Sequence, residues 1–340
     1  MVKIDLRSDT LTKPSNAMKE FMLQSPVGDD VFEEDPTVIE LEEYAAQLFG
    51  MEAGLFCSSG TMTNQIAIKA HTFPGAEVIC HEYSHVYNYE GGGIASNSHA
   101  SVKLLRGNRG RILASDLDNA LNPDDDVHRA LTALVCVEDT SNKGGGAVCD
   151  LDELSKIKAW CEQKNLPLHC DGARLFNAFV ARGDSPANYG PMFNSISICL
   201  SKGLGAPVGS VLLGTKEFIT KSRRIRKSFG GGMRQAGIIA GGGLFALKNN
   251  IDRLQEDHDK AKVLGDVLQS LSFVEEVLPV ETNILVFKLS DNFTTKDFLN
   301  LLESKGVLAV PFGPGLIRFV THLDFTVEQL EELIKVLKSI

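Results

Sequence analysis

No stretch of this chain approaches the ~18 consecutive apolar residues that a membrane-spanning helix needs. Basic charge is in deficit: 34 Lys and Arg stand against 44 Asp and Glu, a net charge of −10 over 340 residues. A polyanion would be repelled at long range, which argues against a nucleic-acid partner. Cysteine is scarce and unpatterned. The seven residues (57, 80, 136, 149, 161, 170 and 199) are odd in number, and none is spaced C-x-x-C. Most lie in apolar runs such as Ile196-Ser197-Ile198-Cys199-Leu200, so they read as reduced, buried thiols rather than as a disulfide or zinc framework. The first nine residues hold two acids and no apolar stretch, unlike a signal or transit peptide. Internal repeats, low-complexity linkers and the G-x-x-x-x-G-K-[ST] loop are also missing. The expectation is a soluble cytoplasmic protein with no membrane partner.

What is present is an ordinary globular composition, 43% hydrophobic and 23% charged, at a length that predicts two domains. Asp35 followed by Pro36 opens a helix, apolar residues recur at helical spacing from Val38 to Phe49, and Gly50 stops it. Further helices are predicted from about Thr61 and over Leu151 to Lys164, the latter capped by Asp150. Between them lie apolar runs of strand length at Gly54–Cys57, Glu77–Cys80, Ala133–Val137, Leu166–Cys170, Ser195–Leu200 and Gly209–Leu213. This alternation predicts an α/β fold with a mostly parallel central sheet, whose ligands gather at the carboxyl ends of the strands.

The pattern changes near Asn249. A long polar helix to Gly265 is followed by strand-like runs at 270–277, 283–287, 307–310 and 316–320, and by helices near 296–305 and 327–340. These predict a small α+β C-terminal domain over 251–340 after a large domain over 1–250. Four triple-glycine sites, at 91–93, 144–146, 230–232 and 241–243, mark backbone that turns sharply or approaches something closely.

Two motifs mislead. His81-Glu82-Tyr83-Ser84-His85 matches H-E-x-x-H, but zinc chemistry needs both imidazoles on one helix face. Here the segment follows a strand-like run and reads as a loop, so no metal is expected. The basic run Lys221–Lys227 reads first as a solvated helix face.

A different set is informative. Ser58-Ser59-Gly60-Thr61 lies between a strand and a helix, where free N–H groups and the helix dipole favour an anion. Asp171 ends one predicted strand, and Lys202, 31 residues on, follows the next. An amine for a Schiff base, a carboxylate for a pyridine nitrogen and a helix terminus for a phosphate are what pyridoxal 5'-phosphate requires.

At these residues the sequence resembles the threonine aldolase family, which has the fold of aspartate aminotransferase, a pyridoxal-phosphate-dependent transferase. The resemblance rests on Leu6-Arg7-Ser8-Asp9-Thr10, Ser59-Gly60-Thr61-Met62-Thr63-Asn64-Gln65, His169-Cys170-Asp171-Gly172-Ala173-Arg174, Cys199-Leu200-Ser201-Lys202-Gly203-Leu204-Gly205, Gly230-Gly231-Gly232-Met233-Arg234-Gln235 and Leu316-Ile317-Arg318-Phe319-Val320-Thr321-His322. It spans essentially the whole chain. It implies retro-aldol cleavage of L-threonine or L-allo-threonine to glycine and acetaldehyde, in threonine catabolism and glycine biosynthesis. Lys202 would hold the cofactor covalently, Asp171 its pyridine nitrogen, and Ser59, Gly60 and Thr61 its phosphate. His85 would stack on the ring near the substrate hydroxyl, and Arg174 would lie by the cofactor 3′-oxygen and the substrate carboxylate. Ser8 and Arg318 would grip that carboxylate, with the N-terminal segment 1–20 contributing to the substrate site. His128 would reach the hydroxyl from a neighbouring subunit, and Arg234 or Lys227 a neighbour's phosphate, in a homotetramer built as a dimer of dimers. One departure is visible: the family commonly reads Glu-Asn-Thr-His-Asn where this chain has Glu138-Asp139-Thr140-Ser141-Asn142. From the residues alone, a β-eliminating lyase, an aminotransferase and a non-catalytic pyridoxal-binding protein stay open.

Overall fold

The computed structural model describes residues 4–340. Strand β1 (Ile4–Asp5) comes first. Seven more strands form the central sheet: β2 (Ala53–Cys57), β3 (Glu77–His81), β4 (Ser101–Leu105), β5 (Thr132–Glu138), β6 (Leu168–Gly172), β7 (Ser195–Cys199) and β8 (Ser210–Gly214). Their order is β2-β8-β7-β6-β5-β3-β4. β8 runs antiparallel to both its neighbours, and every other pairing is parallel. β6, β7 and β8 are buried along their whole length, which is why they read as continuous apolar runs rather than alternating ones.

The predicted helices form where their caps place them. Asp35 accepts the N–H groups of Thr37 and Val38 at the start of helix Pro36–Phe49, and Gly50 ends it at φ 62°. Asp150 caps helix Leu151–Gln163, with Lys164 as its C-cap. The helix expected from Asn249 starts only at Leu254, after a turn. β4 was not anticipated: it is an edge strand, carries Lys103 and buries only Leu105, so no apolar run marks it. In helix Gly237–Asn249, a Cβ at Gly241, Gly242 or Gly243 would lie 2.3, 2.9 or 2.6 Å from Ser25, Pro207 or Leu200, so the glycine face permits close packing.

The C-terminal part carries a second sheet. Strands β9 (Val274–Val277), β10 (Ile284–Leu289), β11 (Val307–Leu308), β12 (Val310–Gly313) and β13 (Leu316–Val320) complete the set. The run 307–310 thus divides at Ala309 between β11 and β12. The sheet order is β12-β13-β10-β9, all antiparallel. Helices Leu254–Gln269, Thr295–Ser304 and Val327–Lys338 bury Leu264, Phe298 and Leu333 against Leu285, Phe287 and Phe319. β1 pairs in parallel with β11, and Ile4 and Leu6 enter this same core. No helix among the described residues is long and apolar enough to cross a membrane.

Candidate active site

The parallel strands bring their carboxyl ends to one rim, and the chemistry-bearing residues follow them. Asp171 lies one residue before the end of β6, opposite Ser197 of β7; Lys202 follows β7 by three residues. The two strands are neighbours, as their spacing predicted. Asp171 Oδ1 accepts the N–H of Ala173, while Oδ2 is buried without a hydrogen-bond partner. A buried, unpartnered carboxylate oxygen calls for a donor from a ligand.

The turn from β2 into helix Gly60–His71 forms the anion side. Ser59 caps the helix by accepting the N–H of Met62, leaving the first N–H groups, of Gly60 and Thr61, ahead of the helical ladder. Ser210, at the start of β8, joins them: its hydroxyl is buried without a partner and lies 3.6 Å from where a Cβ on Gly60 would sit. A protonated ring nitrogen at Asp171, a phosphate at Gly60, Thr61 and Ser210, and an aldehyde for Lys202 would answer these groups, so the residues fit pyridoxal phosphate.

His85 opens a short helix beyond β3. Its backbone N–H donates to Glu138 Oε2 at 2.9 Å, its ring Nδ1 meets Glu90 Oε1 at 3.0 Å, and Tyr89 packs 5.5 Å away, centroid to centroid. Burial disfavours its charged form, but the bond to Glu90 and the charges of Asp171, Glu90 and Glu138 outweigh this and raise its pKa. Burial and the nearby Asp171 push Glu138 up to about 7, against N–H bonds from Asn142 and His85. His81 ends β3 and accepts the N–H of Tyr83, and Glu82 faces Arg106, so H-E-x-x-H spans a strand end and a turn and shares no helix face.

Arg318, on β13, donates to Asn142 Oδ1 and to the Arg7 carbonyl, both at 2.8 Å. Its Nε is buried without a partner. Burial and the neighbouring Arg174 lower its pKa to about 10, against the opposing charge of Asp9. Ser8 stands beside Arg7, its hydroxyl capping Thr10. Arg174 is already engaged: Nε and Nη2 donate to the two oxygens of Asp9 at 2.9 and 2.7 Å. Burial opposes ionisation of Asp9, but Arg174, Lys202 and Asn283 hold its pKa down to about 2. The stability it contributes is present above the ordinary 3.8 and is lost as pH falls toward 2. Asp9→Ala would strand a buried guanidinium, so urea titration near neutral pH is expected to show a loss of about 3–5 kcal/mol.

Two expected site residues do not join the others within this chain. His128 is exposed and pairs with Asp126 in the segment ahead of β5, at the amino ends of the strands. Arg234 is exposed and pairs with Asp29. Ser141 is buried, its hydroxyl accepting the N–H of Gly144 and lying 1.9 Å from where a Cβ on Gly110 would sit, so the two segments pack closely because Gly110 has no side chain. The basic run departs from the solvated-face expectation. Arg226 is buried, donates to the Phe56 carbonyl and pairs with Asp30, while Arg223 pairs with Glu33 and Glu42, because helix Lys216–Ser228 packs along β2.

Asp9, Glu90, Glu138 and Ser210 also belong to this site without standing out in the sequence: Asp9 and Glu138 lie in motifs that give them no role, and Glu90 and Ser210 have no local signal.

Comparison with known proteins identifies the family and the fold. The beta-eliminating lyase family model matches residues 5–292. The low specificity L-threonine aldolase of Escherichia coli (strain K12) is 41% identical over 330 residues, covering 97% of each chain. The solved threonine aldolase of Leishmania major superposes with a TM-score of 0.86 at 20% identity, covering 99% of each chain. A structure of SPT with PLP gives a TM-score of 0.76 at 17% identity, over 99% of this chain and 87% of that one; these two likenesses show the fold. The chain belongs to the beta-eliminating lyase family, alongside the low-specificity L-threonine aldolases.

Proposed function

We propose that this protein is a pyridoxal-phosphate-dependent aldehyde-lyase that cleaves L-threonine and L-allo-threonine to glycine and acetaldehyde. The observation that carries this reading is a pair of buried, unpartnered polar atoms: Asp171 Oδ2 at the rim of the central sheet, for a ring N–H, and Arg318 Nε on β13, for a substrate carboxylate. Pyridoxal phosphate bound there would supply the sink for the electron pair left at Cα when the Cα–Cβ bond breaks. Asp171 keeps a proton on the pyridine nitrogen. Lys202 offers its amine for covalent attachment, and Gly60, Thr61, Ser59 and Ser210 take the phosphate. Arg318 and Ser8 would fix the substrate carboxylate and so orient the Cα–Cβ bond to be broken. Arg174 holds Asp9 and lines the same side. His85 takes the β-hydroxyl proton, the role for which imidazole is suited at neutral pH.

The remaining parts of the reading concern the assembly. His128 and Arg234 are exposed and pair with Asp126 and Asp29 within this chain, which leaves them available to a neighbouring subunit in a dimer of dimers. Sedimentation is expected to show a tetramer, and a fully active monomer would end the cross-subunit role of His128. We place the large domain over 1–250 and the small one over 251–340, with β1 lending its residues to the small core. Threonine catabolism and glycine supply in the cytoplasm is the setting that such an activity would serve.

The test is turnover of both threonine diastereomers by pure, cofactor-loaded protein, with coupled detection of acetaldehyde. Acetaldehyde and glycine in equal amounts are expected. Ammonia with a 2-oxo acid instead would assign the chain to elimination, and amino transfer to pyruvate would assign it to the aminotransferases.

A further inference from the structure

Glu90 lies five residues beyond His85, and its side chain is fully buried. Its two oxygens meet three donors: His85 Nδ1 at 3.0 Å, Asn64 Nδ2 at 2.9 Å and Gln65 Nε2 at 2.6 Å. The chain of contacts continues inward. Asn64 Oδ1 meets His169 Nε2 at 3.2 Å, His169 Nδ1 meets Ser195 Oγ at 2.8 Å, and Ser195 Oγ meets His71 Nε2 at 2.9 Å. Six residues, from β6, β7, two helices and the turn that carries Glu90, thus form one hydrogen-bonded line from the rim into the packing between helix Gly60–His71 and the sheet.

Donor and acceptor rules give this line a direction. Gln65 Oε1 accepts from Asn97, so its amide nitrogen is the end that faces Glu90. The carboxylate accepts only, so Asn64 also presents its nitrogen to Glu90 and its oxygen to His169. His169 Nε2 therefore carries a proton. Burial depresses the pKa values of His169 and His71, to about 3 and about 4, so both rings are neutral. His169 Nδ1 is then bare and takes the Ser195 hydroxyl proton, and Ser195 in turn accepts from His71. Every bond donates toward Glu90, and the last donor to it is His85 Nδ1–H. The packing is close: a Cβ on Gly93 would lie 2.5 Å from the Gln65 amide.

We propose that Glu90 is a positioning residue for the reaction: backed by Asn64, His169, Ser195 and His71, it holds His85 as the Nδ1–H form and leaves Nε2 as the nitrogen that exchanges the substrate's β-hydroxyl proton. The assignment of that proton rests on the aldolase reading above. The groups facing His85 are Glu90, Asp171, Glu138 and the Tyr89 ring. Of the three acids, Glu90 alone bonds to the His85 ring.

Neutron diffraction from wild-type crystals tests the proton positions without any variant and without any turnover. Deuterons on His85 Nδ1 and His169 Nε2, with none on Glu90, are expected; a bare His85 Nδ1 or a protonated Glu90 overturns the proposal. The pH dependence of kcat/KM tests the consequence. Glu90→Gln should move the acidic limb to lower pH by about 1 unit or more, because the amide no longer favours the imidazolium. The plateau should fall on the order of 10²-fold or more, and Glu90→Asp should restore the limb toward wild type. A lower plateau with an unmoved limb would mean that Glu90 only fills space. Wild-type protein that releases no aldehyde would sink the aldolase reading, while diffraction still decides the tautomer.

Discussion

Lys202→Ala is expected to abolish aldehyde release, by ~10³-fold or more, on the scale seen when a group that bonds covalently in the reaction is removed. Lys202 sits three residues past β7, close enough to Asp9 for its charge to help keep that buried acid ionised. Its strand, β7, pairs with β6, which carries Asp171. Borohydride reduction of the loaded wild-type protein, followed by peptide mapping, is expected to place the pyridoxyl mass on the peptide containing Lys202. Label on any other lysine would refute the whole arrangement, including the assignments of Asp171 and Gly60. Loss of Lys202 also withdraws a positive neighbour from Asp9, so a small drop in acid stability should accompany the loss of turnover.

Asp171→Asn is expected to separate binding from catalysis. The phosphate side, at Gly60, Thr61 and Ser210, is untouched, so pyridoxal phosphate should still bind and its absorbance should remain. An amide cannot keep the ring nitrogen protonated, and turnover should fall by ~10²–10⁴-fold. The cofactor-free protein should change in the opposite direction. Asp171 buries an oxygen with no partner, and its charge helps push Glu138 up to about 7. Glu138 contributes stability below its ordinary 4.5 that is lost as pH rises through about 7. Neutralising Asp171 removes part of that loss, so the cofactor-free variant should melt higher than wild type above pH 7. A variant with near-normal turnover, or one that melts lower, would show that Asp171 has another task.

Local signals carried much of the architecture. Asp35 and Gly50 bound a helix by side-chain and backbone preferences that act over a few residues, and the buried strands β6, β7 and β8 announce themselves as apolar runs. The direction of β8 did not show, because a strand buried on both faces reads the same forward and backward. β4 escaped because an edge strand needs no apolar run. In the site, Asp171 and Lys202 were legible because strand ends can be counted. Glu90 was not: its partners come from positions 64, 65 and 85, and only the packing of the helix on the sheet assembles them. The burial of Arg226 was hidden for a related reason, since a run of cations gives no sign of which one turns inward.

The parallel pairing of β1 with β11 has a consequence for how the protein comes into being. Ile4 meets Val307, so the two ends of the contact are 303 residues apart in the chain. The Leu6 carbonyl accepts the N–H of Val320, and the Arg7 carbonyl accepts from Arg318. On a ribosome, the sheet that carries Asp171 and Lys202 is fully synthesised long before β11 and β13 emerge. β1 stays without its strand partner until β11 is made. Closing so long a loop is entropically costly and slow relative to local folding. Arg318 therefore joins the site only after the cofactor residues have been made, and a chain stopped before β13 would carry those residues without the Arg318 side of the carboxylate clamp.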